Sequence, residues 1–375
     1  MGKPGGMRAC VTGGTGFVGA HIVRALADRD DDVRVVYRDP DRLKALRGVK
    51  YRRAKCDVLD YKSMRRAMRG IDVLFHVAGN VASNPVQSVW ELNADGPVVA
   101  VEAAAAEGVR RVVLTSTISA IGTANGNGPA DESTRYPEDW LGLTYPDSKH
   151  AGERAALEAA ERHGIDVVVV NPAYVLGVPV DHRQGCDTST RTIANYLRGR
   201  LPGVLDAPMN FVDVEDVAAG ELLAAEHGTP GERYILGGVN LRWAELIDRV
   251  AELSGVRYPI MVLPTSIRRL TRIREAIGLP GALSAEASNL MGQDWRFTSK
   301  KARDELGYVS RPLDDTLNAT IEWVLERIEA GAFDDSRVSG LSRWADSMRM
   351  ASRLGLLAPV RVGQRVLGRR IVAGG

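Results

Sequence analysis

The stretch Ala9-Cys10-Val11-Thr12-Gly13-Gly14-Thr15-Gly16-Phe17-Val18-Gly19 joins a short apolar run to a glycine-rich turn, and a helical pattern follows directly. This order predicts a strand, a loop and a crossover helix. Glycine suits such a loop because a Cβ strains the turn and because an anion comes close to the amides of a helix N-terminus. The first two of the glycines at 13, 16 and 19 are one residue further apart than the first two glycines of the G-x-G-x-x-G pattern. The stretch therefore predicts a loop that holds a pyrophosphate.

Length and composition are those of an ordinary globular protein. The chain has 375 residues, of which 45% are hydrophobic and 26% charged, with a net charge of +2. This length suits one large domain with a smaller lobe, and the balanced charge gives no reason to expect nucleic acid as a partner. The histidines lack metal-ligand spacing, so we predict no metal site. No secretory signal and no apolar run of membrane-spanning length is present, which predicts a cytoplasmic protein.

The second strand, Val33–Tyr37, ends at a group of charged residues. In a dinucleotide fold this strand end meets the adenosine ribose, where an acid binds the 2′-hydroxyl of NAD and an Arg accommodates the 2′-phosphate of NADP. Here Arg38 follows the strand directly, Asp39 comes next, and Lys44 lies a turn or two further on. This order favours NADP, with Arg38 and Lys44 near the phosphate. NAD, bound through Asp39, is the alternative.

Strands and helical patterns alternate along the chain. Ile71–Gly79 is almost continuously apolar, as a strand buried on both faces should be, and Arg111–Thr117 and Asp166–Pro172 are predicted as the fifth and sixth strands. A long helix is predicted from about residue 86 to 107, and Phe211–Ala218 is predicted to begin another. The alternation predicts an α/β fold, a Rossmann-type doubly wound parallel sheet with right-handed crossovers.

The domain organisation follows from where this alternation stops. Residues 7–172 are predicted to form the dinucleotide-binding domain, behind a disordered leader at 1–6. Residues 173–210 and 241–330 are predicted to form a smaller C-terminal substrate lobe over the carboxyl ends of the strands, where such sheets bind ligands. Residues 211–240 are predicted to return to the first domain.

Tyr145 and Lys149 stand four residues apart in a helical pattern and so share one face of a helix. A phenol with a pKa near ~10 transfers protons poorly at neutral pH, and a nearby ammonium lowers that pKa. Ser116 and Thr117 supply hydroxyls at the end of the fifth strand that could hold a substrate oxygen against Tyr145. A chance Tyr–Lys pair on the surface is the alternative, which the combination with the glycine loop disfavours.

These features resemble the extended short-chain dehydrogenase/reductase family, within it the dihydroflavonol-reductase-like and hopanoid-associated sugar epimerase branch. The resemblance covers residues 8 to about 325. Beyond the glycine loop, it rests on Asp57-Val58, His76-Val77-Ala78, Tyr145-Pro-Asp-Ser-Lys149, Asn171-Pro172, Phe211-Val-Asp-Val-Glu-Asp-Val217, Gly231-Glu-Arg-Tyr-Ile-Leu-Gly-Gly238 and Ser299-Lys-Lys-Ala-Arg-Asp-Glu-Leu-Gly307.

The resemblance implies a set of site residues. Thr117, Tyr145 and Lys149 are implied to be catalytic, with Thr117 located by counting back five residues from Gly122. The reductase branch also carries Arg-Asp-Pro after the second strand, which matches Arg38-Asp39-Pro40. The cofactor is predicted to contact Gly13, Thr15, Gly16, Phe17, Val18, Gly19, Arg38, Lys44, Asp57, Val58, Val77, Ala78, Gly79, Tyr145, Lys149, Pro172 and Val175.

Three interpretations of function follow. The first is an NADP-dependent oxidoreductase that interconverts a ketone and a secondary alcohol on a hydrophobic small molecule, with Tyr145 as general acid and base. The second is a nucleotide-sugar epimerase or dehydratase with tightly bound NAD. Members of that type carry an Arg before the Ser-Lys segment, where this chain has Ala287–Gly292, and only Arg296 lies nearby. The third, a non-catalytic NAD(P)-binding sensor or scaffold, is disfavoured because a sensor needs no proton donor.

Residues 331–375 form a basic tail with eight Arg and three Asp, a net charge of +5 against +2 for the whole chain. Its apolar residues Leu341, Trp344, Met348, Ala351 and Leu354 fall on one helix face. The tail is predicted to pack on its own domain or on a second subunit of a homodimer, to make peripheral membrane contact through 340–375, or to be disordered. The core pattern is complete without it, so its deletion should leave the core folded.

Overall fold

A parallel sheet of seven strands forms the centre of the computed structural model, which describes residues 6–124, 126, 128–137, 140–183, 189–269, 271, 285–333, 347, 350, 354, 364 and 370–374. Helices cover both faces of the sheet, so the side chains of its inner strands are buried on both sides and most of them are apolar. In chain order these strands are β1 (Arg8–Thr12), β2 (Asp32–Tyr37), β3 (Arg52–Lys55), β4 (Val73–His76), β5 (Arg111–Thr115), β6 (Asp166–Pro172) and β10 (Arg233–Leu236). Their spatial order is β10-β6-β5-β4-β1-β2-β3. The predicted doubly wound Rossmann-type fold is confirmed.

Helices flank this sheet on both faces. One face carries α1 (Phe17–Asp28) packed against α7 (Val214–His227), and the other carries α2 (Tyr61–Met68), α4 (Gly96–Ala106) and α5 (Thr144–His163) packed in a row. Two clusters of buried apolar side chains fill the two layers between helices and sheet. The strand register sets Thr12, His76 and Leu114 side by side, so β1, β4 and β5 end at one level.

Smaller elements form a lobe over the carboxyl ends of these strands. Its strands pair in two small sheets, β11-β9-β7 and β13-β12-β8. They are β7 (Tyr174–Leu176), β8 (Gly203–Leu205), β9 (Pro208–Asp213), β11 (Val239–Arg242), β12 (Ile260–Leu263) and β13 (Val372–Ala373). The remaining helices are α3 (Val86–Trp90), which precedes α4, and α6 (Arg191–Leu197), α8 (Trp243–Ser254), α9 (Ala285–Met291), α10 (Lys300–Leu306) and α11 (Leu313–Glu329).

Two predicted helices differ from the structure. Phe211 does not begin a helix: residues 208–213 form β9, and α7 begins at Val214 with the Asp213 side chain as its N-cap. A strand forms there because Phe211 pairs with Tyr174 and Val239 of neighbouring strands, which are distant from it in sequence. The long helix at 86–107 is interrupted by a π-helical turn, Glu91–Asp95, which separates α3 from α4.

The termini are described only in part. Residues 1–5 and most of 334–369 lie outside the described residues, and with them most of the predicted amphipathic face in the tail. Residues 370–374 are described, and β13 within them pairs antiparallel with β12 of the lobe. In the described parts of the chain, no helix is long and apolar enough to cross a membrane.

Candidate active site

The turn from β1 into α1 leaves no room for a Cβ at two of its glycines. Gly13 has a φ of +65°, and a Cβ there would lie 2.7 Å from the Ala78 nitrogen; a Cβ on Gly19 would lie 2.2 Å from the Gly13 oxygen. Gly16 caps α1 without a side-chain hydrogen bond, and the first turn of α1 carries no acidic residue. The amides at this helix N-terminus therefore remain available to an anion, and the loop fits the pyrophosphate of a dinucleotide.

The end of β2 presents two guanidinium groups to the cavity that the glycine loop also lines. Arg38 and Arg42 both line it, and neither makes an ion pair with another described residue. Asp39 also lines the cavity, but its Oδ1 accepts a hydrogen bond from the Asp41 amide at 3.0 Å and caps the 3₁₀ helix Pro40–Leu46. This strand end is therefore suited to an anionic group.

Lys44 does not reach this cavity, although we predicted that it would. The 3₁₀ helix turns the Lys44 ammonium back to Asp41, where Nζ lies 2.9 Å from Oδ1. Arg42, which sequence reasoning missed, occupies the cavity wall instead. Its position four residues after Arg38 is the only local signal that could have found it.

Tyr145 lies in the first turn of α5 and meets Thr117 beyond the end of β5. The two side chains are hydrogen-bonded, and Thr117 Oγ1 also accepts from the Ser119 amide at 3.3 Å. Burial raises the pKa of Tyr145 to about 12, and the hydrogen bond with Thr117 offsets this only in part. We expected the ammonium of Lys149 to lower this pKa; in the structure burial dominates, and the group that lowers the pKa is Thr117. The phenol therefore keeps its proton at neutral pH and is a proton donor.

Lys149 follows one turn later in α5 and is directed at the sheet. Its Nζ donates to the Thr115 carbonyl oxygen at 2.7 Å. Burial lowers the pKa of Lys149 to about 8, while the acids Glu153 and Glu221 raise it. The ammonium is therefore held by the strand end and faces two carboxyl groups, whereas the sequence suggested that it would act on the Tyr145 phenol.

Asn93, in the π-helical turn, holds the loop after β4 beside this pair. Its side chain exchanges two hydrogen bonds of 2.8 Å with the backbone of Asn80 and donates to Ser148 Oγ at 3.0 Å. A Cβ on Gly152 would lie only 1.9 Å from the Asn93 oxygen, so glycine lets α5 pack directly on the turn. The turn thus fixes where α5 sits relative to β4.

One cavity of about 1070 Å³ joins these groups along the carboxyl ends of the strands. Every predicted site residue except Lys44 lines it. These residues are Gly13, Thr15, Gly16, Phe17, Val18, Gly19, Arg38, Asp57, Val58, Val77, Ala78, Gly79, Thr117, Tyr145, Lys149, Pro172 and Val175. The structure therefore brings together residues at the ends of the six strands β1 to β6 with residues of β7, α1 and α5.

Sequence reasoning missed a group of large apolar and aromatic side chains in the cavity wall, which we call the substrate end. It consists of Val81, Tyr174, Met209, Leu290, Met291 and Trp295. These residues come from the loop after β4, from β7 and β9, and from α9 and the segment after it. Their local sequence shows only ordinary strand and helix patterns, so no short-range signal could assign them to a site.

The sheet order, the glycine loop and the Tyr–Lys helix define a dinucleotide-dependent enzyme of the short-chain dehydrogenase/reductase class. The model of the NAD dependent epimerase/dehydratase family matches residues 9–237. The chain therefore belongs to this family and is an NAD(P)-dependent enzyme of the extended type.

Individual relatives agree with this assignment. Sterol demethylase protein B of Methylococcus capsulatus is 30% identical over 86% of this chain and 99% of its own length. Cinnamoyl-CoA reductase 1 of Arabidopsis thaliana is 30% identical over 85% and 91%. Among solved structures, a nucleoside-diphosphate-sugar epimerase from Pseudomonas aeruginosa superposes with a TM-score of 0.72 at 27% identity, covering 88% of this chain and 99% of that one.

Proposed function

We propose that this chain is an NADP-dependent oxidoreductase that interconverts a ketone and a secondary alcohol on a hydrophobic small molecule. The observation that carries the proposal is the composition of the substrate end, whose apolar and aromatic side chains line the same cavity as Tyr145. An apolar wall with a few convergent polar groups is typical of sites for hydrophobic ligands. Two relatives are named for a sterol and for cinnamoyl-CoA, whose ring systems suit such a wall.

The nucleotide-sugar alternative needs a partner for a diphosphate. Among the described residues that line the cavity, the only Arg and Lys are Arg38, Arg42 and Lys149, none of which is at the substrate end. Arg296 is engaged elsewhere, since its Nε and Nη2 donate to the Asp294 carboxylate at 2.9 and 2.6 Å. The similarity to a sugar epimerase therefore supports the fold, and the charge distribution supports the reductase.

The proposed mechanism assigns one task to each side chain. NADPH, when bound, supplies the hydride to the carbonyl carbon. Tyr145 donates a proton to the carbonyl oxygen in reduction and takes it back in oxidation, and Thr117 donates a hydrogen bond to the same oxygen. Lys149 holds the end of β5 in place and contributes positive charge as the oxygen gains electron density.

The preference for NADP rests on the end of β2. Two guanidinium groups without ion-pair partners in the described structure face this part of the cavity. A 2′-phosphate would pair with them through charge-assisted hydrogen bonds. The competing acid, Asp39, is occupied in capping its own turn.

A cofactor titration followed by a ketone panel tests the proposal. We expect turnover of an apolar ketone with NADPH, and we expect Tyr145→Phe to lower kcat by roughly 10²–10⁴-fold with NADPH affinity within about threefold, since only the phenolic proton is lost. Val309→Ala, at an exposed position outside the cavity wall, is the matched control and should leave kcat unchanged.

Two results would overturn the assignment. Undiminished turnover by Tyr145→Phe would remove the phenol as the acid. Purified protein that carries bound NAD and acts on a nucleotide sugar, with no ketone reduced, would establish the epimerase alternative.

A further inference from the structure

α9 supplies two side chains of the substrate end, Leu290 and Met291, and it belongs to the lobe rather than to the central sheet. Its C-terminal end is held by Trp295. The indole Nε1 of Trp295 donates to the Leu290 carbonyl oxygen at 2.6 Å, and the backbone of Trp295 is hydrogen-bonded to Pro208 and Asn210 of β9. This end of the wall is therefore fixed by residues of the lobe itself.

The other end of α9 reaches α5, the helix of Tyr145. Glu286, in the first turn of α9, accepts a hydrogen bond on Oε1 from the Thr144 amide at 2.8 Å. Thr144 is the first residue of α5 and directly precedes Tyr145. The first amides of a helix have no partner within that helix, so an acid from a distant part of the chain satisfies one of them here. The helix that carries the wall is thus joined to the helix that carries the proton donor.

Asp147 satisfies the neighbouring amides from within α5. Its Oδ2 accepts from the Leu143 amide at 2.8 Å, its Oδ1 accepts from the Leu141 amide at 3.1 Å, and the residue is buried. Both oxygens of this acid are therefore used on residues that precede the helix. The Thr144 amide is left to Glu286, so the two acids hold different parts of the start of α5.

We propose that Glu286 is a positioning residue that holds the apolar wall of α9 in place relative to Tyr145 and so determines the size of ketone that reaches the proton donor. In this arrangement the wall is fixed at one end by Trp295 and at the other by the Thr144 amide. A substrate that contacts the wall is then oriented toward the phenol. The effect on ketone size rests on the proposed function, whereas the link between the two helices does not.

Amide hydrogen exchange measures this link without any substrate. In the full chain, Glu286→Ala should speed exchange at the Thr144 amide and in α9, because the bond that protects both is lost. Glu286→Gln keeps a side-chain oxygen that accepts the same hydrogen bond, so its exchange should match wild type. Glu252→Ala is the matched control, since Glu252 lies on α8 and pairs with Arg249 of the same helix at 2.7 Å. Mass spectrometry of peptides from the start of α5 and from α9 provides the readout.

The KM values of ketones of different size test the effect on specificity. On a panel that runs from cyclohexanone to steroid ketones, Glu286→Ala should raise the KM of the largest ketone that is reduced by roughly 5-fold or more, since its contact with the wall is weakened. The KM of the smallest ketone and that of NADPH should stay within about twofold, because neither needs the wall. Glu286→Gln should behave as wild type. A general loss of folded protein would instead lower kcat for every ketone alike, without this difference in KM.

Thr144→Pro removes the other partner of the same hydrogen bond. Proline lacks the amide hydrogen and is tolerated at the first position of a helix, and Leu143 before it has the extended backbone, with φ −122° and ψ 116°, that proline requires of its neighbour. Thr144→Pro should therefore raise the KM of the largest ketone as Glu286→Ala does. The double variant should show no larger effect than either single variant, because one and the same bond is lost in all three.

Three results would overturn the proposal. They are unchanged exchange at α5 and α9 in Glu286→Ala, additive effects of Glu286→Ala and Thr144→Pro on KM, and a Glu286→Gln variant as impaired as Glu286→Ala. If Glu286→Ala does not fold, Thr144→Pro and Glu286→Gln decide the proposal through exchange in α9 and through KM. If no ketone is reduced at all, the proposed function fails, and the exchange measurement still decides the link between the helices.

Discussion

Single side chains in this site behave differently from the same side chains in water because they are dehydrated. Burial raises the pKa of Tyr145, so its phenol keeps its proton, and burial lowers the pKa of Lys149, so its ammonium loses a proton more readily. A protonated phenol is what ketone reduction needs. At the scale of the residue, the site is therefore better prepared to donate a proton than to accept one.

Arg38 offers a direct test of cofactor choice. Arg38→Ala should raise the KM for NADPH by roughly 10-fold or more, since a charge-assisted hydrogen bond to a phosphate is lost. The KM for NADH should stay within about twofold, because NADH has no 2′-phosphate. Initial rates with both cofactors provide the measurement.

Lys44→Ala serves as its control. The Lys44 side chain is paired with Asp41 and lies off the cavity wall, so neither KM should change. Equal effects of Arg38→Ala on NADPH and NADH would contradict the NADP assignment.

At the scale of elements, the C-terminal strand is part of the lobe. Val372 and Ala373 are buried against β12, and the Gly374 carbonyl accepts from Tyr196 Oη at 2.8 Å. The Gly374 amide donates to Asp248 Oδ1 at 2.7 Å, and Arg370 pairs with the same carboxylate. The end of the tail thus packs on its own lobe, which is one of the arrangements that the sequence left open.

Truncation after residue 369 should accordingly destabilise the lobe. We expect a loss of roughly 2–4 kcal/mol from the free energy of unfolding, because the burial of Val372 is lost together with the hydrogen bonds that Ile371 and Gly374 make to the lobe. NADPH affinity should hold, because the central sheet is intact, while the KM for substrate should rise. Urea unfolding and cofactor fluorescence titration measure the two effects.

Asp248→Asn is the milder companion variant. It removes the charge that pairs with Arg370 but keeps the strand, so its loss should be smaller than that of the truncation. A truncated chain as stable as wild type would contradict a structural role for β13.

The stability of the whole molecule depends on pH through two buried histidines. Burial lowers the pKa of His21 to about 4 and that of His76 to about 3. Between about pH 6.5 and pH 4 the unfolded chain binds protons on both, whereas the native chain does not. Each should therefore reduce the free energy of unfolding by up to about 1.4 kcal/mol per pH unit as the pH falls through this window.

Acids with raised pKa values, such as Glu221 and Glu132, change the free energy of unfolding with pH in the opposite direction. Substitution of each histidine is therefore needed to separate its contribution from that of the acids. We expect His21→Gln and His76→Asn to flatten the fall of stability between pH 7 and 5, measured by urea unfolding. His163→Asn, at an exposed position, should keep the wild-type slope. Parallel slopes in all four proteins would contradict the assignment of two neutral buried histidines.

Assembly and membrane contact are properties of the whole molecule that stay predictions. The homodimer, and peripheral contact with anionic lipid through residues 340–375, rest on the sequence pattern, most of which lies outside the described residues. The packing of residues 370–374 on the lobe leaves the helix predicted near Trp344 as the segment on which lipid contact depends.

The sequence by itself determined the features that depend on neighbours along the chain. The strand, glycine loop and helix at residues 8–28 follow from apolar periodicity and from turn geometry that only glycine adopts without strain. The one-turn spacing of Tyr145 and Lys149 likewise follows from helix geometry. Each of these is set by contacts within a few residues, which a single sequence displays.

Tertiary structure decided what depends on residues distant in sequence. Phe211 became part of a strand because two other strands flank it, and the pKa of Tyr145 rose because the fold removed water from it. Met209 and Trp295 form one wall only because the lobe folds over the sheet. Burial and long-range pairing fixed the substrate end, which leaves no trace in local sequence spacing.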